Sequence, residues 1–152
     1  MAIAPKISVQ AEDFDLAAEV SLLTARSSNI GGVVSFTGLC RDENGRLDAL
    51  ELEHYPAMAE TQIKAIAVQA LERWPLSGLT IIHRYGKIKP GSNIVLVIAT
   101  ATHRRAAFQA ADFLMDYLKN DAPFWKKEHL KDGSSGDWVE ATDRDAADKK
   151  RW

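Results

Sequence analysis

Gly32 to Tyr55 reads G-V-V-S-F-T-G-L-C-R-D-E-N-G-R-L-D-A-L-E-L-E-H-Y, and its pattern changes partway through. Gly32 to Cys40 is rich in β-branched residues and nearly continuous in apolar character, as expected of a central strand. Leu47 to Tyr55 alternates instead: Leu50 and Leu52 face one way, while Glu51, Glu53 and Tyr55 face the other. Between the two lies the turn Asp42-Glu43-Asn44-Gly45, in which Asn-Gly is a strong hairpin signal because both residues accept positive φ. The stretch therefore predicts a local antiparallel pair. That favours an α+β fold with a mixed or mostly antiparallel sheet over a doubly wound parallel one.

Outward from this stretch, helices and strands alternate. Upstream, Lys6 to Gln10 predicts a short strand and Asp15 to Ala25 a helix with Leu16, Val20 and Leu23 on one side. Downstream, Pro56 marks a boundary before a helix over Met58 to Trp74, which buries Ile63, Ile66, Ala67, Ala70 and Leu71 and ends before Pro75. Leu79 to Ile88 and Asn93 to Ala101 predict two more strands, the second apolar enough to be buried on both faces. Asp132 to Gly136 reads as a turn between a strand around Lys126 to Leu130 and another around Asp137 to Glu140. The tail from Thr142 is charged and ends in Lys149-Lys150-Arg151-Trp152, where docking and disorder of the tryptophan are both open.

With 152 residues, 46% hydrophobic and 26% charged, the chain is one globular domain, 1–152, able to bury a real core. A net charge of -2 gives no global field for nucleic acid or an anionic membrane, so any anion site must be local. No apolar run is long enough to span a bilayer and the first residues lack a signal-peptide pattern, so a cytoplasmic protein is expected. Cys40 is alone, and His54, His83, His103 and His129 are scattered. No metal or other cofactor is expected, and Cys40 reads as an inert buried thiol.

The unusual chemistry lies in Ala99 to Glu128. A helix here would gather Ala106, Ala110, Phe113, Leu114, Tyr117 and Leu118 into a core stripe. Beside it Arg104, Phe108, Ala111, Met115 and Lys119 form an apolar shoulder with a cation at each end. Thr102 fits an N-cap, and His103, Arg104 and Arg105 follow at once, opposing the helix dipole unless an anion sits there. Asn120, Asp121 and Pro123 stop the helix. Phe124-Trp125-Lys126-Lys127 then offers either a flat cationic wall for a planar anion or half-buried core with solvated lysines.

Seven blocks carry a family resemblance: F-T-G-L-C-R (36–41), L-E-H-Y-P-A-M (52–58), R-W-P (73–75), I-H-R-Y-G (82–86), H-R-R-A-A-F (103–108), M-D-Y-L-K (115–119) and A-P-F-W-K-K-E (122–128). Their order and number make the signal far more specific than any one short motif. The chain resembles the large, catalytic subunits of molybdopterin synthase, over nearly its whole length. The resemblance implies an α/β hammerhead portion plus a β-rich portion formed in part by about 36–56 and 124–141. It also implies a sulfurtransferase of molybdenum cofactor biosynthesis that converts cyclic pyranopterin monophosphate to molybdopterin. The sulfur donor would be a small ubiquitin-like subunit carrying a C-terminal glycine thiocarboxylate. A homodimer of large subunits would stand at the centre of a heterotetramer.

Residue by residue, the resemblance implies Lys119 and Lys126 as catalytic, and Arg41, His103 and Arg104 as substrate-binding. Phe108 and Met115 join the substrate-binding set as walls that keep water from the lysines. A phosphate needs fixed cations, and an ammonium can stabilise an anionic tetrahedral intermediate. A competing class, a non-enzymatic module binding a phosphorylated ligand or an acidic partner tail, would use the same basic shoulder, and a third is a Schiff-base lysine enzyme.

Overall fold

A computed structural model describes residues 3–120, 122–138 and 147–152. In chain order the elements are β1 (Lys6–Gln10), α1 (Leu16–Thr24), β2 (Gly32–Leu39), β3 (Leu47–His54) and α2 (Pro56–Arg73). They continue with β4 (Leu76–Arg84), β5 (Gly86–Ile88), β6 (Asn93–Ala101), α3 (Arg104–Asn120) and β7 (Phe124–Leu130). A four-stranded sheet has the order β1-β4-β6-β2 and a three-stranded sheet the order β5-β3-β7. Only β1 with β4 is parallel. The α+β class read from the sequence is the class observed.

The larger sheet is covered on both faces. α2 and α3 press Ile63, Ala67, Phe113 and Leu114 against Ile81, Val97 and Ala99. On the other face α1 sets Leu23 against Ile82, Leu96 and Ile98. Neighbouring residues of β4 and β6 thus point into two different cores, which is why their sequences run apolar without alternation. Asp15 caps α1 by accepting from the Ala18 N–H at 3.1 Å. A third cluster, Cys40, Leu47, Leu52 and Ile88, holds the smaller sheet together.

The expected pair of Gly32 to Cys40 with Leu47 to Tyr55 does not form. The turn is present, with positive φ at Glu43, Asn44 and Gly45, but it joins strands of different sheets. β2 pairs with β6, Val34 opposite Ala99, and β3 takes β5 and β7 as neighbours. β2 is also an edge strand rather than a central one. Leu79 to Ile88 likewise divides: Gly86 has φ +90°, and the chain passes there from one sheet to the other. Asp137 and Trp138 form no strand, and the rest of that expected element lies outside the described residues. Trp152 is docked, packing edge-on against Trp74 and Phe113.

Candidate active site

A cavity of about 370 Å³ opens where both sheets meet the C-terminal end of α3. Lys119 reaches it from the last turn of α3, where the helix dipole favours a cation. Lys126 reaches it from β7. The pleat sends Phe124 and Lys126 into the cavity, while Trp125 meets the Tyr55 ring and Lys127 lies 5.5 Å over Trp138. Of the two readings of this stretch, a flat wall of two aromatics and two lysines does not form, because the four side chains are split between two faces. Arg41 stands just beyond β2 at the mouth, its side chain 84% exposed and 3.3 Å from Glu43. Phe36, Leu52, Ile94 and Leu118 supply apolar walls.

His83 lines the same cavity from β4 and is buried. Its ring stacks on Phe124 with centroids 3.8 Å apart and planes 15° from parallel. Nδ1 lies 2.8 Å from the Arg84 carbonyl, which can only accept, so Nδ1 carries the hydrogen. Burial above all, helped by the charges of Lys126 and Lys119, pushes the His83 pKa down to about 4. The ring is neutral at pH 7. The sequence does not single out His83 as a site residue, because its place in the cavity depends on Phe124, which arrives from β7 long afterwards in the chain.

The other expected site residues lie elsewhere. His103 and Arg104 are exposed at the opposite end of α3. The 15 positions from Arg104 to Lys119 span about 22 Å at 1.5 Å per residue. Arg104 is beside Gly32 at the start of β2, whereas the cavity takes residues from the end of β2. Within one chain the two clusters do not share a small ligand. Phe108 is 61% exposed, and Met115 is half-buried against the main core, so neither walls off the lysines within this chain. Arg104 is the first helical residue, which gives the N-cap place to His103 rather than Thr102. Cys40 is 3% exposed, and burial raises its pKa, so it is held as an inert thiol. Among the described residues no cluster of side chains could hold a metal ion, and no helix is long and apolar enough to cross a membrane.

A sequence profile described as MoaE protein matches residues 9–121. The molybdopterin synthase catalytic subunit of Mesorhizobium japonicum is 63% identical over 150 residues, 99% of this chain and 94% of that one. The subunit of the same name from Salmonella typhimurium is 46% identical, with 97% of each chain covered. Among solved structures, the molybdopterin biosynthesis MoaE protein of Burkholderia ambifaria superposes with a TM-score of 0.85 at 45% identity, covering 98% of both chains. Sequence and fold agree: the chain belongs to the MoaE family, that of the catalytic subunits of molybdopterin synthase.

Proposed function

We infer that this chain transfers sulfur to cyclic pyranopterin monophosphate, forming molybdopterin, and takes the sulfur from the C-terminal glycine thiocarboxylate of a small ubiquitin-like subunit. The observation that carries the reading is the convergence of Lys119, Lys126 and Arg41 on one cavity with apolar walls. Cations in such a setting act at lower effective dielectric than in water, which suits them to an anionic tail and to negative charge that develops during acyl chemistry. Lys119 and Lys126 are the catalytic pair. Arg41 at the mouth contributes to the phosphate.

His103 and Arg104 enter the reading through a second copy of the chain. β2 is an edge strand with Val33, Phe36 and Leu39 exposed, and Phe108 is exposed on α3. A homodimer built on a two-fold axis near the middle of that edge brings the start of the partner's β2, with the partner's His103 and Arg104, toward the cavity. The phosphate is then held by Arg41 of one protomer and by the partner's basic pair, with the exposed Phe108 of the partner, one turn from Arg104, serving as a wall from there, while Met115 stays in its own protomer's core. Turnover of the pyranopterin with a thiocarboxylated small subunit tests the function. Product carrying the two dithiolene sulfurs is expected, and binding without turnover would leave only a ligand-binding module.

A further inference from the structure

We propose that His83 is a specificity-determining residue: its Nε2 accepts a hydrogen bond from a ring N–H of the heterocycle bound in the Lys119–Lys126 cavity. The proposal rests on the pyranopterin reading above and adds the contact by which the ring, rather than the phosphate, is recognised.

The tautomer follows from geometry. With Nδ1 donating to the Arg84 carbonyl at 2.8 Å, a neutral ring keeps its lone pair on Nε2. Among the described residues that nitrogen has no hydrogen-bond partner, and it is not sealed away, since the one fully buried side-chain polar atom without a partner there is His54 Nδ1. His83 is 8% exposed and lines the cavity. Its direction is fixed twice, by the Phe124 stack and by the Arg84 bond.

What this acceptor reads follows from its neighbours. Arg41, Lys119 and Lys126 are donors only and match the acceptor oxygens of any phosphate or carboxylate, so they hold an anion without choosing among anions. A fixed acceptor demands a ligand that brings its own donor. A pterin ring has N–H groups; inorganic phosphate and a thiocarboxylate sulfur do not supply a ring N–H. A buried acceptor left unpaired by the wrong ligand discriminates strongly, because the lost hydrogen bond is not replaced by water. Protonation would abolish the acceptor, and burial together with the nearby Lys126 and Lys119 charges prevents it at neutral pH.

Two variants separate the acceptor from the packing. His83→Phe keeps a flat ring against Phe124 and removes the acceptor, whereas His83→Gln keeps an acceptor and removes the stack. Calorimetry with cyclic pyranopterin monophosphate should show at least tenfold weaker binding for His83→Phe and within threefold of wild type for His83→Gln, with inorganic phosphate binding equal in all three. In nitrogen-15 spectra of wild type at pH 7, Nε2 should give the signal of an unprotonated ring nitrogen and move when the pyranopterin is added. A protonated Nε2, an unmoved signal at saturation, or two folded variants that weaken binding equally would each overturn the proposal. Failure of wild type to bind or turn over the pyranopterin would sink the functional reading and this proposal with it. A wild type that turns over while His83→Phe binds as tightly sinks the proposal alone.

Discussion

At the scale of single residues, Lys119 and His83 make separable predictions. A lysine that only caps a helix end contributes at most about 1 kcal/mol to stability. Lys119→Ala should instead lower single-turnover sulfur transfer at least about a hundredfold, roughly 2.7 kcal/mol of barrier, while its urea midpoint stays near wild type. A near-normal transfer rate would refute the catalytic role. His83 predicts an acid effect. In the folded protein it stays neutral down to about pH 4, whereas an unfolded histidine takes up a proton below about 6.5. The unfolded chain therefore binds more protons between these values. The contribution to stability is whole above pH 6.5, falls as pH drops toward 4, and amounts to on the order of 3 kcal/mol. Urea unfolding of wild type and His83→Phe at pH 7 and pH 4.5 checks this: the variant should lose distinctly less stability on acidification.

At the scale of elements, the start of α3 is set by a backbone contact. A Cβ placed on Gly31 would lie 2.1 Å from the Thr102 carbonyl oxygen, and Gly31 N–H already bonds the Ala101 carbonyl at 3.0 Å. Gly31→Ala must push the segment before α3 away from β2, at about 1 to 3 kcal/mol by the usual cost of overpacking, and it displaces His103 and Arg104. A crystal structure and a thermal melt of the variant would test both effects. The other side of α3 is held by Trp152, whose indole N–H donates to the buried Asp116 alongside Arg151. Trp152→Ala should cost about 2 kcal/mol, below the range for a wholly buried tryptophan because Trp152 is only half-buried, and a urea titration measures it. These elements also show what the sequence could reveal. α2, α3 and β6 were legible because burial imposes a period on residues close in the chain. The partners of β2 and β3 were not, since Asn44-Gly45 specifies a turn and not the sheet that each arm joins. The same holds for the site. Lys119 and Lys126 stand near a helix end and on the strand that follows, a short-range relation. His83 and the separation of Arg104 from Lys119 are consequences of long-range packing.

At the scale of the whole molecule, the central question is whether one chain or two make the site. Arg104 and Lys119 lie about 22 Å apart along α3, farther than a single pterin phosphate reaches. Light scattering on the isolated chain should give a dimer mass at micromolar concentration, and a charged residue at Phe36 on the exposed β2 edge should reduce it to a monomer. A mass measurement does not say whose residues meet, but mixing does. Lys119→Ala and Arg104→Ala should each be inactive as homodimers. When the two are unfolded together in equal amounts and refolded, half of the dimers are mixed. If the site uses Lys119 of one protomer and Arg104 of the other, each mixed dimer has one site with both defects and one site with none. Activity should then return to about a quarter of wild type by statistical assortment. If both residues serve a site within one chain, every site in a mixed dimer keeps one defect and nothing returns. Refolded wild type fixes the scale. A mixture as inactive as its parents, with heterodimers demonstrated by mass, would remove His103 and Arg104 from the partner's side of the cavity.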